Sequence, residues 1–284
     1  MRFWKMHGIG NDFVLVDLWR DASDDDRGEG RRWRDLAPRL CDRHFGVGGD
    51  GVLLVLPSEK ADVRMRMFNP DGSEAEMCGN GIRCLARYVR EHHGVRSETL
   101  RVETIPGIME VSFPGHDASR VQVDMGTPRF APSHIPIQAD GERVVDYPLA
   151  VNGRELRITA VSMGNPHAVA FLQDGDLAAF PLEAIGPDVE RHPLFPRRTN
   201  FEVCQVEGPH RMWVRVWERG AGATLACGTG ACAAAVAGVT LGLVESPVQV
   251  TLPGGTLEIA WQPGGPVLMT GPASYVFAGE WLAD

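Results

Sequence analysis

Apolar and polar positions alternate through residues 1–18, where Phe13, Val14, Leu15 and Val16 follow a turn at Gly8-Ile9-Gly10-Asn11, and the pattern predicts a strand. Residues 21–31, DASDDDRGEGR, are polar and rich in charge and read as a surface loop or mobile insert. Trp33, Leu36, Ala37, Leu40 and Cys41 then recur at helical spacing over 33–43, with Cys41 read as a core residue. The loop Gly46-Val47-Gly48-Gly49-Asp50-Gly51 leads into a strand from Val52 to Leu56. It lacks the spacing and the following helix of a Walker loop or a dinucleotide fingerprint. Residues 63–68, VRMRMF, alternate as a strand, and 82–93 place Ile82, Leu85, Ala86 and Val89 on one helical face, with Cys84 near its buried side.

The rest is mostly strand. Residues 99–125 are strand-rich, with turns at Pro106-Gly107 and Pro114-Gly115. A second run of strands begins near Met125 and continues to about 172. Pro128, Pro132, Pro136 and Pro148 make 126–148 irregular, and the domain boundary is placed at its start. A short helix is predicted within 176–190, strands over 201–206 and 211–217, and strands again through 246–284. The stretch 229–241 is helical in composition and small and apolar all round, which predicts a helix buried on every side. Many strands with few helices argue against a doubly wound sheet and for an α+β chain whose halves are each a curved sheet around one buried helix.

One phrase occurs in both halves. Cys78-Gly79-Asn80-Gly81 and Cys227-Gly228-Thr229-Gly230 each read Cys-Gly-x-Gly and run into a helical stretch, about 150 residues apart. A helix start leaves backbone N–H groups unpaired and carries a partial positive charge. Both favour a thiolate over a thiol, and the glycines let the amides approach a bound anion closely.

Composition narrows the function classes. The 284 residues suggest two domains with sizeable cores, and a net charge of −9 argues against a nucleic-acid footprint. Six cysteines in this length do not make a disulfide scaffold. No apolar stretch approaches a membrane span, and MRFWKMHGIGNDF has no apolar core of a signal peptide, so a cytoplasmic enzyme with reduced thiols is expected.

Seven stretches together resemble the diaminopimelate epimerase family: KMHGIGNDFVLVD at 5–17, RHFGVG at 43–48, FNPDGSEAEMCGNGIRC at 68–84, MGNPH at 163–167, RTNFE at 198–202, ERGAGATLACGTGACA at 218–233 and MTGPA at 269–273. The resemblance implies two similar domains, 1–125 with 271–284 and 126–270, each a curved, mostly antiparallel sheet or barrel wrapped around a central helix, with the site between them. It implies a cofactor-independent enzyme that interconverts LL- and meso-diaminopimelate in lysine and peptidoglycan-precursor biosynthesis, with no metal, no nucleic-acid or membrane partner, and a homodimer as the expected assembly.

By the same resemblance Cys78 and Cys227 are the two proton-transfer groups, and His167 and Glu218 act on the thiols and on the substrate's amino group. The amides of Gly79, Asn80, Gly228 and Thr229 are the donors expected at the α-carboxylate. Asn11, Asn69, Asn165, Asn200, Glu218 and Arg219 match substrate contacts. The residue types suit a zwitterion: an arginine fork can hold a carboxylate in two bonds, and an amide can serve carboxylate or ammonium. Two positions depart from the family. Gly51 stands where some relatives carry a substrate-contacting glutamine, so that contact is not carried over, and Ala223 stands where many carry glutamate. A proline or hydroxyproline racemase-like enzyme shares the two-thiol logic but typically has histidine at Asn80 and lacks the ERGAG phrase. A non-catalytic redox or metal-binding protein would need cysteine spacings that Cys78/Cys84 and Cys227/Cys232 do not have.

Overall fold

The computed structural model describes residues 1–173 and 175–282. The chain divides into two compact units, Met1–Asp124 with Thr270–Asp284, and Met125–Met269.

The first unit holds β1 (Arg2–Gly8), β2 (Asn11–Asp17), α1 (Asp24–Arg27), α2 (Arg31–Cys41), β3 (Gly51–Leu56), β4 (Val63–Phe68), β5 (Glu74–Ala75), α3 (Gly79–His92), β6 (Thr99–Thr104), β7 (Gly107–Ser112) and β8 (Arg120–Asp124). The second holds β9 (Tyr147–Val151), β10 (Arg154–Ser162), β11 (Pro166–Phe171), α4 (Leu182–Glu190), β12 (Asn200–Gly208), β13 (Arg211–Glu218), β14 (Gly222–Thr224), α5 (Gly228–Thr240), β15 (Val248–Leu252) and β16 (Gly255–Trp261). β17 (Val267–Pro272) carries the chain back, and β18 (Ser274–Glu280) pairs with β1.

The two units repeat one pairing scheme. In the first, β1·β2 is antiparallel, β2·β3 parallel, β3·β4 and β4·β5 antiparallel, β4·β6 parallel and β6·β7 antiparallel. In the second, β10·β11, β11·β12, β12·β13, β13·β14, β13·β15 and β15·β16 follow the same order of senses. Each parallel step is bridged by a crossover, as parallel pairing requires. α2 and α4 bridge the first such step in their units, and α3 and α5 bridge the second. The repetition of Cys-Gly-x-Gly is therefore the visible part of a repeated α+β fold.

α3 packs against β1, β2, β3, β4 and β8, and α5 against β10, β11, β12, β13, β15 and β16, so each is enclosed by its own sheet. All six residues of β3 are buried because α2 covers one face and α3 the other. Trp33, Ala37 and Leu40 of α2 pack with Val14, Val52, Leu54 and Phe68 on the outer side. In the second unit Leu182, Ile185 and Val189 of α4 pack with Phe201 and Val203, which leaves Glu202, between them in the alternation, on the α5 side. α5 has only small residues, Gly-Thr-Gly-Ala-Cys-Ala-Ala-Ala-Val-Ala-Gly, as complete enclosure demands.

The segment 21–31 corrects its expectation. It contains α1, capped by Ser23, whose Oγ accepts from the Asp26 N–H while the Asp26 carboxylate accepts from the Ser23 N–H. Asp26 is buried, accepting also from the Trp33 indole, and its carbonyl takes the Arg66 guanidinium. A capping box hidden in a run of charges reads as a loop because charge density masks the Ser-x-x-Asp spacing.

Candidate functional site

Each cysteine of the repeated phrase is the N-cap of a buried helix. Cys78 and Cys227 have extended backbones, and each Sγ accepts the N–H three residues on, from Gly81 at 3.4 Å and from Gly230 at 3.3 Å. The carbonyls of Cys78 and Cys227 accept from Ile82 and Ala231, the first bonds of each helix. The amides of Gly79, Asn80, Gly228 and Thr229 precede those bonds, so neither helix supplies them an acceptor. Sulfur takes the place that a serine or aspartate oxygen usually holds at such a cap, and the positive helix end beside it favours the thiolate.

In the first unit Asn11 joins the thiol to the strand ends. Its Oδ1 lies 3.7 Å from Cys78 Sγ and accepts from Asn80 Nδ2 at 3.1 Å. Its Nδ2 donates to Asp50 at 2.8 Å, and Asp50 also takes the Asp12 N–H and the Arg43 guanidinium. Arg83, wholly buried in α3, donates to Asn80 Oδ1 and to the carbonyls of Gly79 and Pro272, fixing the first turn of the helix. The Asn69 side chain donates to Ser73 Oγ at 3.0 Å in the loop after β4.

The second unit places five of the expected residues together. Cys227 Sγ lies 3.5 Å from Thr229 Oγ1, and Asn165 Nδ2 donates to that hydroxyl at 3.2 Å. Asn165 Oδ1 lies 2.9 Å from His167 Nε2, and His167 Nδ1 lies 2.8 Å from Glu202 Oε1. Glu218, at the end of β13, accepts from Thr224 Oγ1 at 2.5 Å. Asn200 is buried with its amide engaged inside the protein, donating to the Pro166 carbonyl and accepting the Arg219 N–H. Its effect is to hold the backbone of Arg219, whose exposed side chain donates to the Arg197 carbonyl.

Burial pushes the Cys227 thiol well above its ordinary range, and the negative charges of Glu218 and Glu202 push it further, against the hydrogen bonds from Thr229 and Gly230. Glu218 is itself raised, by desolvation, although Thr224 and Cys227 hydrogen-bond to it. Burial and the neighbouring carboxylates thus favour the protonated thiol, against the pull of the positive helix end. The other four cysteines are buried. Burial raises Cys41 to about 11 and Cys84 to about 12, and raises Cys204 well above its ordinary value.

Two residues in contact with the site were not singled out from sequence. Asp50 lay in a loop read as a turn. Glu202 is a lone carboxylate in the apolar run Asn200-Phe201-Glu202-Val203-Cys204, a visible anomaly without a visible partner. Gly51 has a structural reason to lack a side chain, since a Cβ there would lie 2.9 Å from Met67 Cε and 3.0 Å from the Phe68 carbonyl. Among the described residues, no group of three or more His, Cys, Asp or Glu is arranged to hold a metal ion, and no helix is long and apolar enough to cross a membrane.

The family profile for diaminopimelate epimerase matches residues 3–131 and 159–276. The chain is 53% identical over 283 residues to the diaminopimelate epimerase of Pelotomaculum thermopropionicum, covering 99% of each chain. It is 51% identical over 286 residues to that of Desulfitobacterium hafniense, covering 100% of this chain and 99% of the other. A crystal structure of a Bacillus anthracis phenazine biosynthesis protein of the PhzF family superposes with a TM-score of 0.70 at 19% identity, covering 100% of this chain and 99% of that one, a likeness of fold.

Proposed function

The chain belongs to the diaminopimelate epimerase family, and from that premise we propose that it interconverts LL- and meso-diaminopimelate by proton transfer at one α-carbon, with Cys78 and Cys227 as the two transfer groups. The observation that carries the assignment is the duplicated placement of a thiol as the N-cap of a buried helix, each bonded to the third amide of that helix.

Inversion requires removal of the α-proton from one face and its return to the other. One cysteine acts as thiolate and takes the proton, and the other acts as thiol and supplies one. The roles exchange for the opposite substrate hand. The α-proton of a simple amino acid is a very weak acid, so the charge of the carbanion left by its removal must be met by fixed donors. The Gly79, Asn80, Gly228 and Thr229 amides are the donors for the α-carboxylate into which that charge spreads. A pre-aimed donor in a dry site contributes about 3 kcal/mol. A helix dipole at an exposed terminus contributes about 1 kcal/mol. The amides are therefore the larger part of the stabilisation, and the dipole the smaller.

His167 and Glu218 act on the Cys227 side, through hydrogen bonds and charge. Arg219, with Asn11, Asn69 and Asn165, binds the charged groups of the substrate, and Asn200 holds Arg219 in register. No cofactor takes part in this scheme. A cytoplasmic location and a homodimer complete the reading, the latter open to light scattering in solution. The test is deuterium incorporation from heavy water into a panel of amino acids. Exchange at the α-carbon of diaminopimelate, and not of proline or hydroxyproline, is expected. Exchange confined to the cyclic imino acids would replace the reading with a racemase.

A further inference from the structure

The contacts of Cys227 continue past the expected residues into a buried carboxylate. His167 and Glu202 are both fully buried, and they meet at 2.8 Å through Nδ1 and Oε1. Glu202 Oε2 has no hydrogen-bond partner among the described residues, so the carboxylate is held by His167 on one oxygen only. A buried carboxylate with one partner is costly to keep, and its position explains how it is tolerated. A Cβ on Gly230 would lie 2.8 Å from Glu202 Oε1 and 3.2 Å from Cys227 Sγ. The carboxylate therefore abuts the first turn of α5, whose positive end offsets its charge, and the same glycine leaves space for both the carboxylate and the thiol.

Of the bonds between Glu202 and Cys227, only the first has a fixed polarity. A carboxylate is acceptor only, so His167 Nδ1 must carry a proton toward it. His167 Nε2 then faces Asn165 Oδ1 at 2.9 Å as a donor, Asn165 Nδ2 donates to Thr229 Oγ1, and the Thr229 hydroxyl directs its hydrogen to Cys227 Sγ. This arrangement pairs an imidazolium with a thiolate. A half-turn of the Asn165 amide reverses every bond beyond Nε2: the amide donates to a neutral imidazole, accepts from Thr229, and Thr229 offers Cys227 a lone pair for its S–H. Both arrangements share one fixed point, the Nδ1–H held by Glu202.

We propose that Glu202 is a positioning residue for Cys227: by pinning His167 Nδ1–H it leaves Nε2 as the only variable nitrogen, and the Asn165–Thr229 bridge carries that state to the thiol. The proposal rests on Cys227 being one of the two proton-transfer groups. Without the carboxylate the imidazole can adopt the other tautomer, and the bridge no longer distinguishes thiol from thiolate.

The test uses diaminopimelate isomers bearing a halogen on the β-carbon. Removal of the α-proton lets the C–H electron pair form a Cα–Cβ double bond as halide leaves with its own pair, so halide release reports abstraction alone. Cys227→Ser defines the isomer that depends on Cys227. Glu202→Gln should slow halide release from that isomer roughly 10–100-fold, the range for residues that orient a reacting group, and leave the other isomer within about twofold. Glu202→Asp should recover part of the loss. Nitrogen NMR of histidine-labelled protein should show a changed His167 tautomer in Glu202→Gln. Thr229→Val, which keeps the carboxylate, should show the same isomer preference, and the double variant should be little worse than either single one. Equal slowing of both isomers, or none, would overturn the proposal while leaving the two-thiol reading intact. A Cys227→Ser enzyme that processed both isomers normally would overturn the two-thiol reading itself. If Glu202→Gln does not fold, the isomer preference of Thr229→Val decides, and equal slowing there overturns the proposal.

Discussion

The Gly230 N–H points at Cys227 Sγ across the first turn of α5, 3.3 Å away, and there is no space on Gly230 for even one carbon. The equivalent pair in α3, Gly81 and Cys78, has the same bond at 3.4 Å in a roomier setting: a Cβ on Gly81 would meet Leu53 Cδ2 at 3.0 Å and Cys78 Sγ at 3.6 Å. The contact at Gly81 is the far end of a flexible side chain, whereas at Gly230 it is a buried carboxylate and the Cys227 sulfur.

The two glycines should therefore respond differently to alanine. In a helix, alanine is favoured over glycine by about 1 kcal/mol, which at Gly81 offsets a small shift of Leu53. Gly81→Ala is expected to fold with near-unchanged stability and to keep measurable epimerisation. Gly230→Ala should be the less stable of the two in urea titrations and should lose most activity. Equal behaviour of the pair would show that the packing around Glu202 and Cys227 yields easily.

Glu218→Gln separates charge from hydrogen bonding at Cys227. The negative charge of Glu218 helps hold the thiol above its ordinary range. Its removal lowers the thiol pKa, so alkylation of Cys227 by iodoacetamide at fixed mildly alkaline pH should become faster, followed by peptide mass spectrometry, while epimerisation falls. Glu218 is itself raised, so the native state binds its proton more tightly than the unfolded chain does. Its contribution to stability is then complete in acid and is lost as pH rises through and above the ordinary carboxylate range. Relative to wild type, the glutamine variant should gain stability over that window. Slower alkylation would refute the charge effect.

Much of this architecture can be read from residue order. The repeated Cys-Gly-x-Gly, the all-round small composition of 229–241 and the density of strands together indicate two halves, each enclosing a helix. What residue order does not reveal is which strands become neighbours. Glu202 stands out as a charge in an apolar run, but its partner is His167, 35 positions earlier. They meet because β11 and β12 pair in parallel with His167 opposite Asn200, so that Glu202 is one alternation further along the same face. Period-two patterning names the face but not the neighbouring strand. Asp50 escaped for a related reason: a glycine-rich loop carries no periodicity, and its contact with Asn11 depends on the parallel pairing of β2 and β3. The misread segment 21–31 failed at shorter range, where charge density concealed a cap.

Asp12 makes a stability prediction independent of the chemistry. Burial raises its pKa, but hydrogen bonds and charge from Arg43 and Lys5 outweigh this and bring it to about 2. Lys5 is buried and lies 2.5 Å from the Asp12 carboxylate. Asp12→Asn leaves that ammonium without its countercharge, which costs about 3–5 kcal/mol for a buried pair. Because the native pKa is lowered, the stabilisation is present above the ordinary carboxylate range and is lost as pH falls toward 2. Urea titrations should show a large gap between wild type and variant at neutral pH that closes in acid. A gap below about 1 kcal/mol at neutral pH, the size of a surface pair, would mean that Lys5 is adequately solvated or otherwise paired.

The last prediction concerns the two thiols together. Serine fits the space of cysteine at both helix caps and keeps a hydrogen bond to the third amide, but its hydroxyl is a far weaker acid. Cys78→Ser and Cys227→Ser should each fold normally and lose interconversion by about two to four orders of magnitude, the scale of general acid–base catalysis. Each variant retains one competent thiol, so each should still release halide from one β-halogenated isomer, and the two should prefer opposite isomers. Cys41, Cys84, Cys204 and Cys232 are buried away from the helix caps, and serine at any of them should change thermal stability more than isomer preference. If the Cys78 and Cys227 variants shared one preference, both protons would pass through a single group, and the repeated helix caps would then serve to bind the substrate carboxylate alone.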